Sequence, residues 1–176
     1  MGSVKIDIRH AEPEDYKAIQ QIHAQPRAVW GTLQLPFPSA ELWKKRLTEK
    51  PDSLYSLVAC VENEIVGSLG LWLDSHSPRR RHVGGIGMAV HDHWQGQGVG
   101  TALITAALEL ADNWLNLVRV ELNVYTDNEP AIRLYQKVGF KIEGTLEKYA
   151  FREGRYVDAY SMARIKESVV KPEERA

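Results

Sequence analysis

The stretch HDHWQGQGVGTALITAAL, His91 to Leu108, sets glycines at 96, 98 and 100 directly ahead of a run rich in alanine and leucine. Glycine costs backbone entropy and brings no side chain to pack, so this spacing demands a reason. Beyond the glycines, Val99, Leu103, Ala106, Leu110 and Trp114 recur at spacings of four, three, four and four, which predicts one apolar face of a long helix. Before them, Val83 to Val90 reads as a strand. A strand entering a glycine-rich loop that opens a helix suits an anion. First-turn N–H groups lack intrahelical partners, the helix dipole adds positive potential, and no Cβ blocks a phosphate. A tight turn with no ligand is the other reading of this segment taken alone.

Outward from this unit, Val4 to Arg9 alternates apolar and charged residues as a half-buried strand does. AEPEDYKAIQQIH follows as a helix with acidic residues in its first turn. Pro26, Pro36 and Pro38 break the next stretch, and a short helix is predicted over Ser39 to Glu49, capped by Ser39. Leu54 to Glu62 and Ile65 to Asp74 flank ENE as an antiparallel hairpin. Val118 to Tyr125 alternates as a strand. NEPAIRLYQKVGF is a helix marked at both ends, by Asn128 as cap and by Gly139 as the left-handed terminator, with Ala131, Leu134, Tyr135 and Val138 on one face. Two strands around REGR close the chain. The predicted order β-α-α-β-β-β-α-β-α-β-β describes an α/β (α+β) mixed sheet with helices packed on it.

The 176 residues are most economically one domain, residues 1–166, followed by a charged tail over 167–176. A net charge of −1 provides no basic field for nucleic acid, and the three arginines at 79–81 do not make such a surface. The only cysteine, Cys60, excludes an intrachain disulfide and points to a reducing compartment. No apolar run reaches the roughly 18 residues of a membrane span. Together these predict a cytoplasmic domain with no membrane partner. His91 and His93 are too few for a zinc site without further ligands, so no metal is expected.

Two phosphate-binding patterns fail here. A P-loop needs Gly-Lys-Ser/Thr, but Thr101 and Ala102 follow Gly100. A dinucleotide fingerprint starting at Gly96 would put its third glycine on Thr101. What remains is Gln95-x-x-Gly98-x-Gly100, which resembles the acyl-CoA pyrophosphate loop of the GNAT superfamily of N-acetyltransferases. NVYTDNEPAIRLYQKVGF strengthens it, since it looks like that superfamily's strand, loop and helix ending in a tyrosine and Gly-Phe. The resemblance runs from IRHAEPEDYKAIQQIH to GTLEKYAFREGRYVDAYSMARI, and in detail is similar to the small YhhY-type bacterial acetyltransferases.

The resemblance implies a mostly antiparallel twisted sheet, splayed between strands four and five, with helices on both faces. It implies acetyl-CoA as acyl donor and direct transfer to the primary amine of a small molecule, an amino acid or similar. Protein N-termini, a toxin or an antibiotic are alternative acceptors, and a non-catalytic acyl-CoA sensor is the rival class. A homodimer is common in such families. Gln95, Gly96, Gln97, Gly98, Val99, Gly100 and Thr101 match the loop whose N–H groups hold the pyrophosphate. Met88, Ala89 and Val90 match the strand end that pairs with the pantetheine arm, where the Val90 N–H would polarise the thioester carbonyl. Asn128 matches a position that bonds the arm, besides capping its helix. Tyr135 matches the general acid facing the departing sulfur, although its periodicity alone reads as core.

Acetyl transfer also needs a neutral amine. Neutralising a lysine at pH 7.5 costs about 4 kcal/mol, whereas a peptide α-amine costs well under about 1 kcal/mol. An α-amine would therefore need only a weak base or an ordered water. Glu121 is the candidate base, with a structural carboxylate as the competing reading. The resemblance implies that the loop between the first two helices walls the acceptor site, where Trp30, Leu33, Leu35 and Phe37 suggest an apolar-lined pocket; ordinary packing of a long loop is the competing reading.

Overall fold

A computed structural model describes residues 4–74 and 76–166, so the charged tail expected over 167–176 lies outside the described residues. In chain order come β1 (Asp7–His10), a 3₁₀ turn (Pro13–Asp15), α1 (Tyr16–His23), α2 (Pro26–Gly31), α3 (Ala40–Thr48), β2 (Leu54–Val61) and β3 (Glu64–Leu73). Then follow β4 (Val83–Val90), α4 (Val99–Asn113), β5 (Arg119–Tyr125), α5 (Glu129–Lys137), β6 (Lys141–Arg152) and β7 (Arg155–Ile165). The expected order stands, with one added helix. Pro26, read as a breaker, opens α2 instead, at the helix start where a missing N–H does no harm. β1 begins at Asp7 rather than Val4.

The strands form one sheet in the order β1-β2-β3-β4-β5-β7-β6, antiparallel throughout except for β4 against β5. Alternation on β2 divides the core. Leu57, Ala59 and Val61 turn toward the side of α4 and α5, while Val58 meets Ile19 of α1 and Leu47 of α3 on the opposite face. Helices thus cover both faces. α4 is buried through Val99, Leu103, Ile104, Ala107, Leu108 and Ala111. The predicted stripe was therefore rotated: Ala106 and Leu110 lie at its margin and Trp114 is 77% exposed.

β4 and β5 pair only at Val83–Arg119, Gly84–Val120 and Gly85–Glu121, and beyond Gly85 they diverge. The glycine triplet stands at the end of that opening, and its members have different reasons to be there. Gly96 (φ 74°) and Gly98 (φ 88°) occupy the left-handed region that side chains resist. At Gly100 the reason is contact, because a Cβ would stand 3.1 Å from Leu134 Cδ2 and crowd that side chain of α5.

Candidate active site

The gap between β4 and β5 runs into a cleft of about 1900 Å³ that reaches both faces of the sheet. On the α4–α5 side it is lined by Gln95, Gly96, Gly98, Gly100, Thr101, Ala131, Leu134 and Tyr135. On the other side it meets His23, Trp30, Trp43, Trp72, Tyr125 and Tyr149.

Register shows what β4 offers to the gap. His91 N donates to Val66 O, and Asp74 N donates to Val83 O, so the odd-numbered residues of β4 bond to β3. The antiparallel alternation therefore turns the N–H and C=O groups of Ile86, Met88 and Val90 away from β3, toward the gap. The Val90 carbonyl is taken by Gln95, whose Nε2 donates to it at 3.2 Å. Unpaired N–H groups of Met88 and Val90 remain, with Ala89 between them facing the opposite way.

Gln95 is a brace rather than a free loop residue. Besides Val90 it contacts Asp92 Oδ1 at 3.4 Å, and its Oε1 accepts from Arg27 Nη1 at 3.2 Å. Gln97 bends back, Nε2 donating to His93 O at 2.6 Å, and lies off the cleft lining. The Val99 side chain is buried in the core, so only its backbone N–H is available to a ligand. Asn128 does two things at once: its Oδ1 accepts from Ala131 N at 3.4 Å as a cap, and the residue lines the cleft. The tight approach of Gly31 to Asn128 Nδ2 seats α2 against this corner.

Tyr135 is buried beside Phe140, ring centroids 5.8 Å apart, and lines the cleft from α5. Burial pushes its phenol up to about 12, so the hydroxyl stays protonated across the physiological range. Glu121 lines the cleft where the strands part, but its carboxylate is occupied. Oε1 accepts from Arg119 Nε at 2.5 Å, and Arg80 Nη2 reaches Oε2 at 3.2 Å. Two guanidiniums thus hold the carboxylate that was the candidate base, an arrangement that fits the competing reading of a structural carboxylate. Arg80 is itself held from a second side, with Asp74 Oδ2 at 2.7 Å from its Nε.

The acceptor wall also differs from expectation. Trp30 and Leu33 line the cleft, but Leu35 is 79% exposed and lies off it, as does Phe37. Other aromatics take their place. Trp72 of β3 lies over β4, where a Cβ at Gly85 would collide with its indole, and Gly87 lies under the same ring. Glycines at 84, 85 and 87 inside one strand were the available sequence signal, since they mark a close approach. Arg152 is buried beneath Trp30, its Cζ 4.0 Å from the ring centroid, and pairs with Asp127. The Tyr125 hydroxyl donates to Thr32 O at 3.0 Å, which ties the α2 end to β5. Nothing in the sequence pattern signalled these long-range ties.

His91 and His93 stack on each other at 5.7 Å, and His91 Nδ1 accepts from His93 N. Among the described residues, no cluster of three or more His, Cys, Asp or Glu side chains is placed to hold a metal. No helix among them is long and apolar enough to cross a membrane.

Sheet order, splay and glycine loop define an acyltransferase of one family. The family model described as acetyltransferase (GNAT) matches residues 16–140, and the chain belongs to that family. The L-amino acid N-acetyltransferase AaaT of Escherichia coli (strain K12) is 50% identical over 162 residues, 92% of this chain and 99% of that protein. A GNAT acetyltransferase from Streptococcus pneumoniae superposes with a TM-score of 0.79 at 29% identity, over 92% of this chain and 100% of that one. The yncA protein of Salmonella typhimurium, solved with acetyl-CoA, shares the fold with a TM-score of 0.79 at 19% identity, over 96% and 98% of the two chains. The protein is an N-acetyltransferase, and its family uses acetyl-CoA.

Proposed function

We propose that the chain transfers the acetyl group of acetyl-CoA directly to the α-amine of an L-amino acid while both are bound. The observation that carries this reading is the pair of unpaired β4 N–H groups, at Met88 and Val90, set between the glycine loop and an aromatic chamber. The residues present fit acetyl-CoA. The N–H groups at the start of α4 suit a pyrophosphate, the open edge of β4 suits an amide-bearing arm, and the cleft is continuous between them. Bound there, acetyl-CoA supplies the activated acetyl group.

The chain's own groups then have separate tasks. The Val90 N–H donates to the thioester oxygen as it gains charge, and loss of such a donor typically costs about 3–4 kcal/mol, while the Met88 N–H, two residues back along the strand, is left for an amide carbonyl of the arm. The amine nitrogen forms the new C–N bond as the C–S bond breaks. The Tyr135 hydroxyl gives its proton to the leaving sulfur, and the proton shed by the amine returns to solvent, from which Tyr135 is recharged. A phenol at about 12 looks poorly matched to a thiol near about 8.5 in water. The same dry environment that disfavours the phenolate disfavours the thiolate, so both move upward together. Cys60 lies on β2, off the cleft lining, which supports direct attack over an acetyl-cysteine route.

The amino-acid acceptor rests on two supports: half of the residues are shared with an L-amino acid N-acetyltransferase, and the chamber of Trp30, Trp43 and Trp72 suits a small acceptor with an apolar side chain. The test is acetyl-CoA-dependent thiol release across the twenty L-amino acids, with spermidine and a tetrapeptide as comparators and mass spectrometry of the products. N-acetylated amino acids are expected. Acetyl-CoA binding without turnover, or acetylation of the tetrapeptide or spermidine alone, would overturn the reading.

A further inference from the structure

One rung of the β3–β4 ladder is bare on the chamber side. Three rungs face the chamber in succession: Ser68–Ala89, Gly70–Gly87 and Trp72–Gly85. The first is covered, Ser68 by His23, whose Nε2 meets its Oγ at 3.2 Å, and Ala89 by Ile22 and Ala28. Trp43 stacks on His23 in turn, with ring centroids 4.3 Å apart. The third is covered by the Trp72 indole, since a Cβ at Gly85 would stand 2.2 Å from Nε1. The middle rung carries no side chain on either strand.

Gly87 is exposed although β4 runs through the middle of a seven-stranded sheet. Gly85 has to be glycine for the indole to lie where it does, but Gly87 does not. A Cβ there would meet only the rim of the Trp72 six-membered ring, at 3.6 and 3.7 Å among the described residues, which is ordinary contact. Glycine inside a strand weakens it and marks a place where something approaches the backbone closely. At Gly87 no protein group makes that approach. The bare rung also adjoins the transfer point. Two residues of strand, about 7 Å, separate Gly87 from Ala89, the residue between the two free N–H groups. That is comparable to the reach of a leucine, methionine or phenylalanine from its amine to the end of its side chain.

We propose that the slot over Gly70 and Gly87, walled by the Trp72 indole, receives the side chain of the amino-acid acceptor, and that the missing methyl at Gly87 sets the size it admits. The assignment rests on the L-amino acid reading given above. Indole on one side and Ile22 and Ala28 beyond Ala89 on the other make the slot apolar, so it suits leucine, methionine or phenylalanine and disfavours a charged side chain. Alanine, with one methyl, stops short of it.

The experiment is steady-state kinetics of wild type, Gly87→Ala and Gly87→Val with L-alanine, L-leucine, L-methionine and L-phenylalanine as acceptors. Wild type should favour the three larger acceptors in kcat/KM. Gly87→Ala should lower kcat/KM for those three by about tenfold or more, the discrimination one carbon commands in an apolar pocket, and leave L-alanine within about threefold. Gly87→Val should extend the loss. The KM for acetyl-CoA should stay within about twofold in Gly87→Ala, because the Gly87 N–H and C=O bond to β3 and not to the gap. Its melting temperature should be no lower than that of wild type. Equal losses for all four acceptors, no loss for any, or a wild type that prefers L-alanine would overturn the slot and leave the amino-acid reading intact. A wild type that acetylates no amino acid removes both.

Discussion

The Gln95 side-chain amide donates to the Val90 carbonyl across 3.2 Å, closing the end of β4 onto the glycine loop. The two halves of the proposed cofactor site are thereby held in one geometry: the strand edge proposed for the arm and the loop proposed for the phosphates. With Asp92 and Arg27 on the same side chain, Gln95 fixes the loop before any ligand arrives.

Gln95→Ala should therefore weaken acetyl-CoA binding about tenfold, equivalent to about 1.4 kcal/mol, through lost preorganisation. Its melting temperature should fall little. Calorimetric titration of acetyl-CoA into both proteins reads this directly, and equal affinities would show that the loop keeps its shape without the brace.

Gly100 lies 3.1 Å, measured from a Cβ it does not have, from Leu134 Cδ2. Gly100→Val crowds the Leu134 side chain on α5, and overpacking of this kind costs about 1–3 kcal/mol. The melting temperature should drop by about 3–10 °C, and kcat should fall as well because α5 carries Tyr135. An unchanged melting curve would mean that the α4–α5 contact is loose.

Glu121→Gln keeps the shape of the ion-paired carboxylate and removes its charge. Loss of a general base lowers kcat by about 10²–10⁴-fold, whereas loss of a bracket between Arg80 and Arg119 should leave kcat within about threefold. The outcome expected is the second. A fall of a hundredfold at unchanged melting temperature would restore Glu121 as the base.

His23 makes stability depend on acid in a defined direction. Its folded value of about 4 lies below the ordinary 6.5, mainly through burial. Below pH 6.5 the unfolded chain takes up a proton that the folded chain refuses, so stability falls as pH drops from 6.5 to about 4. The full effect is on the order of 3 kcal/mol. His23→Phe can still stack on Trp43 and has nothing to titrate, so denaturant midpoints between pH 6.5 and 4.5 should slope less for the variant. Parallel slopes would mean that His23 is protonated in the folded state.

What the sequence made legible was local. The strand–loop–helix around Gly96 and Gly98, the Asn128 cap and the Gly139 terminator are each decided within a few residues. Sidedness was harder, because Trp114 continues the α4 period in sequence but stands at the helix C-cap, 77% exposed. Functions that depend on distant partners could not be read at all. Glu121 meets an arginine 41 positions earlier, and His23 meets Ser68 45 positions later. Gly100 carries the same residue type as Gly96 for an unrelated reason, visible only once Leu134 stands against it. Leu35 failed for the converse reason: an apolar residue in an acceptor-side loop reads as pocket lining, yet its side chain stands 79% exposed.

The proposed chemistry converges on the Tyr135 hydroxyl, which is buried against the core and held in its protonated form. Tyr135→Phe removes that proton donor and keeps the ring that packs beside Phe140. The decisive measurement is kcat of wild type and Tyr135→Phe across pH 6 to 9, roughly the range over which a thiolate gains or loses its need for a proton donor. If Tyr135 protonates the leaving sulfur, kcat of the variant falls by about 10²–10⁴-fold near neutrality, the gap narrows as pH rises, and acetyl-CoA affinity stays within about twofold. Rates within about threefold at every pH, with superimposable profiles, would contradict it: Tyr135 would then be a packing residue, and the thiolate would leave without its help.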